Sequence, residues 1–215
     1  LEAIIGCVFS PEESDRHNRE LDEFLDRLFL LTDVASALEA YDLPALQKMF
    51  SSTLILMRHN ELGDGENGRL PCSIENLRLR FDAYFYKRRS IPNWYEEQSF
   101  YAEPLERSQW VLCEIDYLNC TLRSPEKRLS NYARTWSLSS SASVQKNALE
   151  DIYDRIICGE ALQEHLFEQN CNSCTTTQYD KGMGVHHSVY TVQKDRKIAI
   201  HGKVGLPHWR TTRRL

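Results

Sequence analysis

The clearest chemistry in this sequence lies near its end. Cys171-Asn172-Ser173-Cys174 spaces two thiols as a metal-binding turn does, and two such thiolates can serve one Zn²⁺. A tetrahedral site needs two further ligands. His186, His187 and His201 follow, on stretches that read as strands. Adjacent strand residues face opposite sides, so only one of His186 and His187 can join a shared site. If His186 and His201 lie across a hairpin, then Cys171, Cys174, His186 and His201 make a Cys₂His₂ zinc set. Against this, the spacing matches no common zinc finger and no second C-x-x-C follows. The plainer reading is a helix-to-strand connection with two incidental cysteines. A redox dithiol is disfavoured, because no strand–C-x-x-C–helix pattern surrounds the pair.

A second constellation mixes cations with aromatics. Arg78, Arg80, Lys87, Arg88 and Arg89 surround Tyr84, Phe85, Tyr86, Trp94 and Tyr95. Such interleaving can hold single-stranded nucleic acid by phosphate contact and base stacking. It also describes a helix with an aromatic core face and a solvated basic face, and Phe81, Tyr84 and Phe85 fit that stripe. Lys203, Arg210, Arg213 and Arg214 form another basic group at the C-terminus. The connection carrying Trp94, Tyr95, Phe100, Tyr101 and Trp110 is rich in the residues that dominate binding hot spots. The same rings would serve equally to lock that connection onto the core.

Other motifs lack their context. Gly63-Asp64-Gly65-Glu66-Asn67-Gly68 spells G-x-G-x-x-G. A dinucleotide loop needs a strand before it and a helix starting on it. Here the preceding run reads as helix, and Asp64 and Glu66 repel phosphate, so a nucleotide cofactor is not expected. Ser124 and Lys127 match S-x-x-K without its companion motifs, and Ser124 beside Pro125 is explained as a helix cap. Glu96-Glu97, Glu114-Asp116 and Asp151-Asp154 pair carboxylates without a recognisable acid–base frame. No catalytic residue is assigned, and enzymatic activity stays open.

These residues must be positioned by elements whose signals are uneven. Ser10-Pro11-Glu12-Glu13 fits a capping box opening a helix with Leu21, Phe24, Leu25, Leu28 and Phe29 on one face. Val34 to Tyr41 reads as a short helix. Asp42-Leu43-Pro44 opens another, with Leu46, Met49, Phe50, Leu54 and Met57 inward and Gly63 as its stop. Residues 61–72 read as an exposed loop. Ser73 caps a third helix reaching about Arg89, with Leu77, Phe81, Tyr84 and Phe85 buried and Pro92 beyond it. Trp110 to Ile115 reads as strand. Ser124 opens a helix bearing Leu129, Tyr132 and Trp136, and Ser139 to Ser143 reads as a hinge. A longer helix is expected from Val144 to Cys158, with Ala148, Leu149, Ile152 and Ile156 inward. Gly159 would break it before Leu162 and Leu166.

After Asn170 the period changes to two. Thr175-Thr176-Thr177, Val185 to Val192, and Ile198, Ile200 and Val204 alternate as strands do, with Lys194-Asp195 as a turn. The expected class is α+β: a mainly helical body, then a small C-terminal antiparallel β-meander packed on it. The expected segments are 1–62 (N-terminal helices), 73–170 (helical body with the aromatic connection) and 171–215 (strands), within one domain or several.

Composition sets limits on the partners. The chain has 215 residues, 41% hydrophobic and 27% charged, with net charge −5. That suits a globular protein able to bury a core without disulfide staples. No run approaches the roughly 18 apolar residues of a membrane span. Residues 1–60 carry 5 basic and 11 acidic residues, whereas 180–215 carry 8 and 2. A globally acidic protein repels nucleic acid at long range, so a nucleic-acid coat over the whole surface is not expected, while the basic tail could touch phosphate or an acidic partner. It could equally balance the acidic N-terminal half of the chain. The seven cysteines are odd in number and several sit in apolar patterns, which favours a reducing, cytoplasmic compartment. Asn119-Cys120-Thr121 is a glycosylation sequon that matters only on secretion. The start at Leu1 has no basic stretch before an apolar run, does not read as a signal peptide, and suggests a trimmed beginning.

Pro92-Asn93-Trp94-Tyr95, then Phe100, Leu105, Trp110 and Leu112, resemble a group of uncharacterised bacterial proteins with a W-Y…F…L…W-x-L stretch. In that group a helix with an aliphatic "YD" segment and a few C-terminal strands follow. Ile152-Tyr153-Asp154 and the strands after Thr175 stand in matching order. The resemblance spans about residues 91–205 and departs from the group at Cys171 and Cys174. It implies this layout and no catalytic residue.

The expected function is therefore a non-enzymatic interaction protein of bacterial or mobile-element origin. Its macromolecular partner would meet the aromatic-rich surface at Trp94, Tyr95, Phe100 and Tyr101. One alternative is a zinc module or zinc enzyme using the C-x-x-C and a strand histidine. Another is a nucleic-acid binder using Lys87, Arg88, Arg89 and the terminal arginines.

Overall fold

The computed structural model describes residues 1–31, 53–66, 68–86, 93–114, 143–162, 171–180, 186–194, 197–203 and 211–213. Several expectations lie outside them: the helices after Val34, Asp42 and Ser124, most of the serine hinge, the Asp195 turn, and Lys87, Arg88, Arg89, Arg210 and Arg214. The protein is α+β, and helices and strands interleave along the chain. Among the described residues no helix is long and apolar enough to cross a membrane.

Contacts divide the chain into two compact units. The first comprises Leu1–Val8, Arg58–Gln109 and Lys146–Arg210, and the second Phe9–Met57, Trp110–Gln145 and Thr211–Leu215.

In the second unit, helix α2 (Pro11–Leu31) begins at the expected capping box. The Ser10 amide donates to Glu13 Oε2 at 2.8 Å, and the Glu13 amide donates to Ser10 Oγ at 3.2 Å. Each bond satisfies an amide that the helix leaves without an internal partner. A sheet runs in the order β1 (Thr53–Arg58), β4 (Gln109–Glu114), β9 (Thr211–Arg213), β5 (Ser143–Gln145). β9 pairs antiparallel with both neighbours, Leu112 opposite Arg213 and Val144 opposite Thr212. The Trp110 indole N–H donates to the His17 carbonyl on α2 at 3.1 Å.

The helix expected through Leu54 and Met57 is instead strand β1. A short apolar run such as Leu54-Ile55-Leu56-Met57 fits either period, and here period two wins.

In the first unit, α1 (Glu2–Ile5) ends at Gly6, whose φ of 71° is left-handed. The expected loop at 61–72 contains a hairpin, β2 (Glu61–Gly63) against β3 (Arg69–Pro71). Asp64 Oδ1 accepts from the Glu66 and Gly68 amides at 2.7 and 2.8 Å and folds its turn. The glycine-rich motif thus sits between two strands, not between a strand and a helix. A side chain at Gly63 would collide with the Gly6 carbonyl, so bare backbone is needed where α1 meets the hairpin. Arg80 clamps this junction by donating to the carbonyls of Ile4 (3.1 and 3.2 Å) and Gly63 (3.2 Å).

Helix α3 (Ile74–Arg80) starts at Ser73, whose Oγ accepts from the Asn76 amide. It stops nine residues short of the expected end at Arg89. A 3₁₀ turn (Asp82–Tyr84) follows, and Phe85 leaves in extended conformation to bridge Ile198. Phe85 is fully buried there, so tertiary packing overrides the helical pattern. A single turn, α4 (Ser99–Ala102), buries Phe100.

Helix α5 (Ala148–Leu162) begins four residues later than expected, because Val144 lies in β5. Asn147 and Glu150 exchange reciprocal cap bonds at 2.8 Å. The helix continues through Gly159, and every residue from Ala148 to Gly159 is buried. Burial all round marks a helix enclosed by its neighbours.

Strands β6 (Cys171–Asp180), β7 (His186–Lys194) and β8 (Lys197–Lys203) pair antiparallel in that order. Thr175, Val189, Thr191, Ile198 and Ile200 are buried, whereas Lys197 and His201 are exposed. The buried face lies on α5, where the Ala148 amide donates to Thr177 Oγ1.

Candidate functional site

Strand β8 is one of the sheet's two outer strands, and such an edge leaves backbone groups unpaired. Two neighbouring segments cover part of it. The Tyr86 amide donates to the Ile198 carbonyl at 2.9 Å. The Trp94 indole N–H donates to the Ile200 carbonyl at 3.1 Å. Between these attachments lies a cavity of about 250 Å³. Its described walls are Tyr86, Asn93, Trp94 and Tyr95 on one side and Ala199, Ile200 and His201 of β8 on the other.

A turn places the aromatic wall. The Glu96 amide donates to the Asn93 carbonyl at 3.0 Å, and Asn93 Nδ2 donates to Glu96 Oε1 at 2.6 Å. Glu96 also pairs with Arg78, whose guanidinium donates to the Tyr95 hydroxyl at 3.2 Å and lies 5.8 Å from its ring centre. Asn93 and Arg78 donate to the Glu96 carboxyl, outweigh its partial burial and hold it below the usual carboxylate range. Burial pushes the Tyr95 phenol up to about 12, against the pull of Arg78. The Trp94 and Tyr95 rings are nearly perpendicular, at 86° with centres 5.9 Å apart.

Of the expected contact residues, Trp94 is half-buried at the cavity, whereas Tyr95 and Phe100 are buried. Tyr101 is half-buried against Tyr95. Lys87, Arg88 and Arg89 lie outside the described residues. Arg78 and Arg80 serve Glu96 and backbone carbonyls, as above. Tyr86 was visible in the aromatic cluster but had no signal to single it out. At 41% exposure it is the most open aromatic of the cavity wall.

The four residues expected to bind zinc lie on strands β6, β7 and β8. Cys171 and Cys174 lie in regular register opposite Gln193 and Tyr190. His201 pairs with Tyr190, and His186 with Asp180. His186 is four residues from Tyr190, roughly 13 Å along the strand. Among the described residues no cluster of His, Cys, Asp and Glu could hold a metal.

One polar cluster was largely illegible in the sequence. Arg58 grips Asp154 with two bonds, Nε to Oδ1 at 2.7 Å and Nη2 to Oδ2 at 2.6 Å. Its Nη1 is 2.9 Å from Glu150 Oε1, and Lys146 Nζ is 2.5 Å from Asp154 Oδ2. Arg155 Nε donates to Asp151 Oδ2 at 2.8 Å, and Thr191 Oγ1 donates to the same oxygen. The Tyr153 hydroxyl accepts from the His59 amide at 3.0 Å. All these charged side chains are at most 5% exposed. Burial would push the Asp154 carboxyl up, but Arg58 and Lys146 outweigh it and hold the group well below its usual range. Asp151 and Asp154 were the legible pair. Arg58 and Lys146 gave no signal, because isolated basic residues are ordinary on a surface. Formal charges balance, and the groups are committed to one another, which suits a scaffold better than a site for substrate.

Comparison with known proteins finds no matching family model, no matching curated protein and no matching solved structure.

Proposed function

We propose that the chain is a non-enzymatic binding protein that receives part of a macromolecular partner in the cavity between β8 and the Asn93–Tyr95 turn. The observation that carries this reading is the cavity itself, a partly open space bordered by three aromatic residues beside an outer strand. Aromatic walls bury much area with few rotatable bonds, which favours binding energy concentrated in a small site. In this reading β6, β7 and β8 are the C-terminal meander, and its outer strand carries the site. In this reading the partner is a protein, whose side chains suit a small aromatic-walled space. A cytoplasmic setting and a bacterial or mobile-element origin belong to the same proposal. The buried cysteines Cys7, Cys72 and Cys158, which form no disulfide, support the first, and the resemblance across residues 91–205 supports the second.

Selection from a displayed random-peptide library, followed by calorimetric titration of the winners, tests the proposal. Peptides should bind the native chain and lose at least tenfold in affinity against Tyr86→Ala and His201→Ala, both at exposed positions. Winners that bind the variants as well as the native chain would overturn it. So would failure of every peptide while single-stranded oligonucleotides bind with steep salt dependence.

A further inference from the structure

We draw no further inference here: the strongest candidate, the cavity between β8 and the Asn93–Tyr95 turn, belongs to the site already described, and its described walls, which join aromatic rings to Asn93 and His201, single out no one ligand chemistry.

Discussion

The buried charge cluster on α5 and the aromatic cavity beside β8 solve opposite problems. Around Asp154 the protein encloses strongly polar groups and pairs their charges with one another. Beside β8 it leaves apolar rings and a sheet edge partly open. Titratable side chains draw attention as chemistry, yet here they are the closed part of the molecule. A buried ion network is expensive to desolvate, and each member becomes costly once its partner is removed. The cavity has the reverse economy: its walls cost little to expose, and they offer area to something else. The difference teaches that exposure and uncommitted surface, more than residue type, separate a scaffold from a site.

Removing Arg58 should break this contrast most severely. Arg58→Ala leaves Asp154 and Glu150 without their main partner and opens a void. Breaking such a pair costs about 3–5 kcal/mol, a large share of a typical domain's stability. Urea unfolding followed by circular dichroism would show it. A loss under about 1 kcal/mol would mean that water reaches the cluster and that the scaffold interpretation is wrong.

Acid should act on the same cluster and spare the cavity. The Asp154 carboxyl is held below its usual range in the folded state. A depressed carboxyl contributes stability that is present above its unfolded pKa of roughly 3.9 and is lost as pH falls toward the folded value. Unfolding midpoints should therefore fall as pH drops below about 4. Asp154→Asn should begin less stable at neutral pH and show a shallower acid slope. An identical slope in both proteins would move the acid sensitivity elsewhere.

The two regions were unequally legible in the sequence. Local signals held where neighbouring residues settle the structure: the Ser10–Glu13 box, the Ser73 cap, the strand at Trp110, and period two after Cys171. They failed where distant residues decide. Phe85 ends a helical pattern because Ile198 offers it a strand partner. Gly159 sits within α5 because the helix is enclosed on all sides. The Cys171–Cys174 spacing read as a metal turn lies within a strand. Trp94 and Tyr95 stood out by type, whereas the wall facing them, at Ile200 and His201, lies more than 100 residues away in sequence. Arg58 and Asp154 are likewise 96 residues apart. No local pattern announces either meeting.

The smallest effects sharpen the comparison from the side of the cavity. Trp94 has two roles, since its ring borders the cavity while its N–H caps the edge of β8. Trp94→Phe keeps an aromatic ring but removes the donor and part of the ring's packing, so it should cost at least about 1 kcal/mol, the usual net worth of one hydrogen bond. Tyr86→Ala removes an exposed ring whose backbone, not its side chain, holds the edge. Its stability should stay within about 0.5 kcal/mol of the native chain. Measured side by side by thermal unfolding, the two variants separate packing from availability. If Tyr86→Ala proves as destabilising as Trp94→Phe or more so, the Tyr86 ring is part of the core. The cavity would then be a packing gap, and the molecule would have no open aromatic region to set against its closed ionic one.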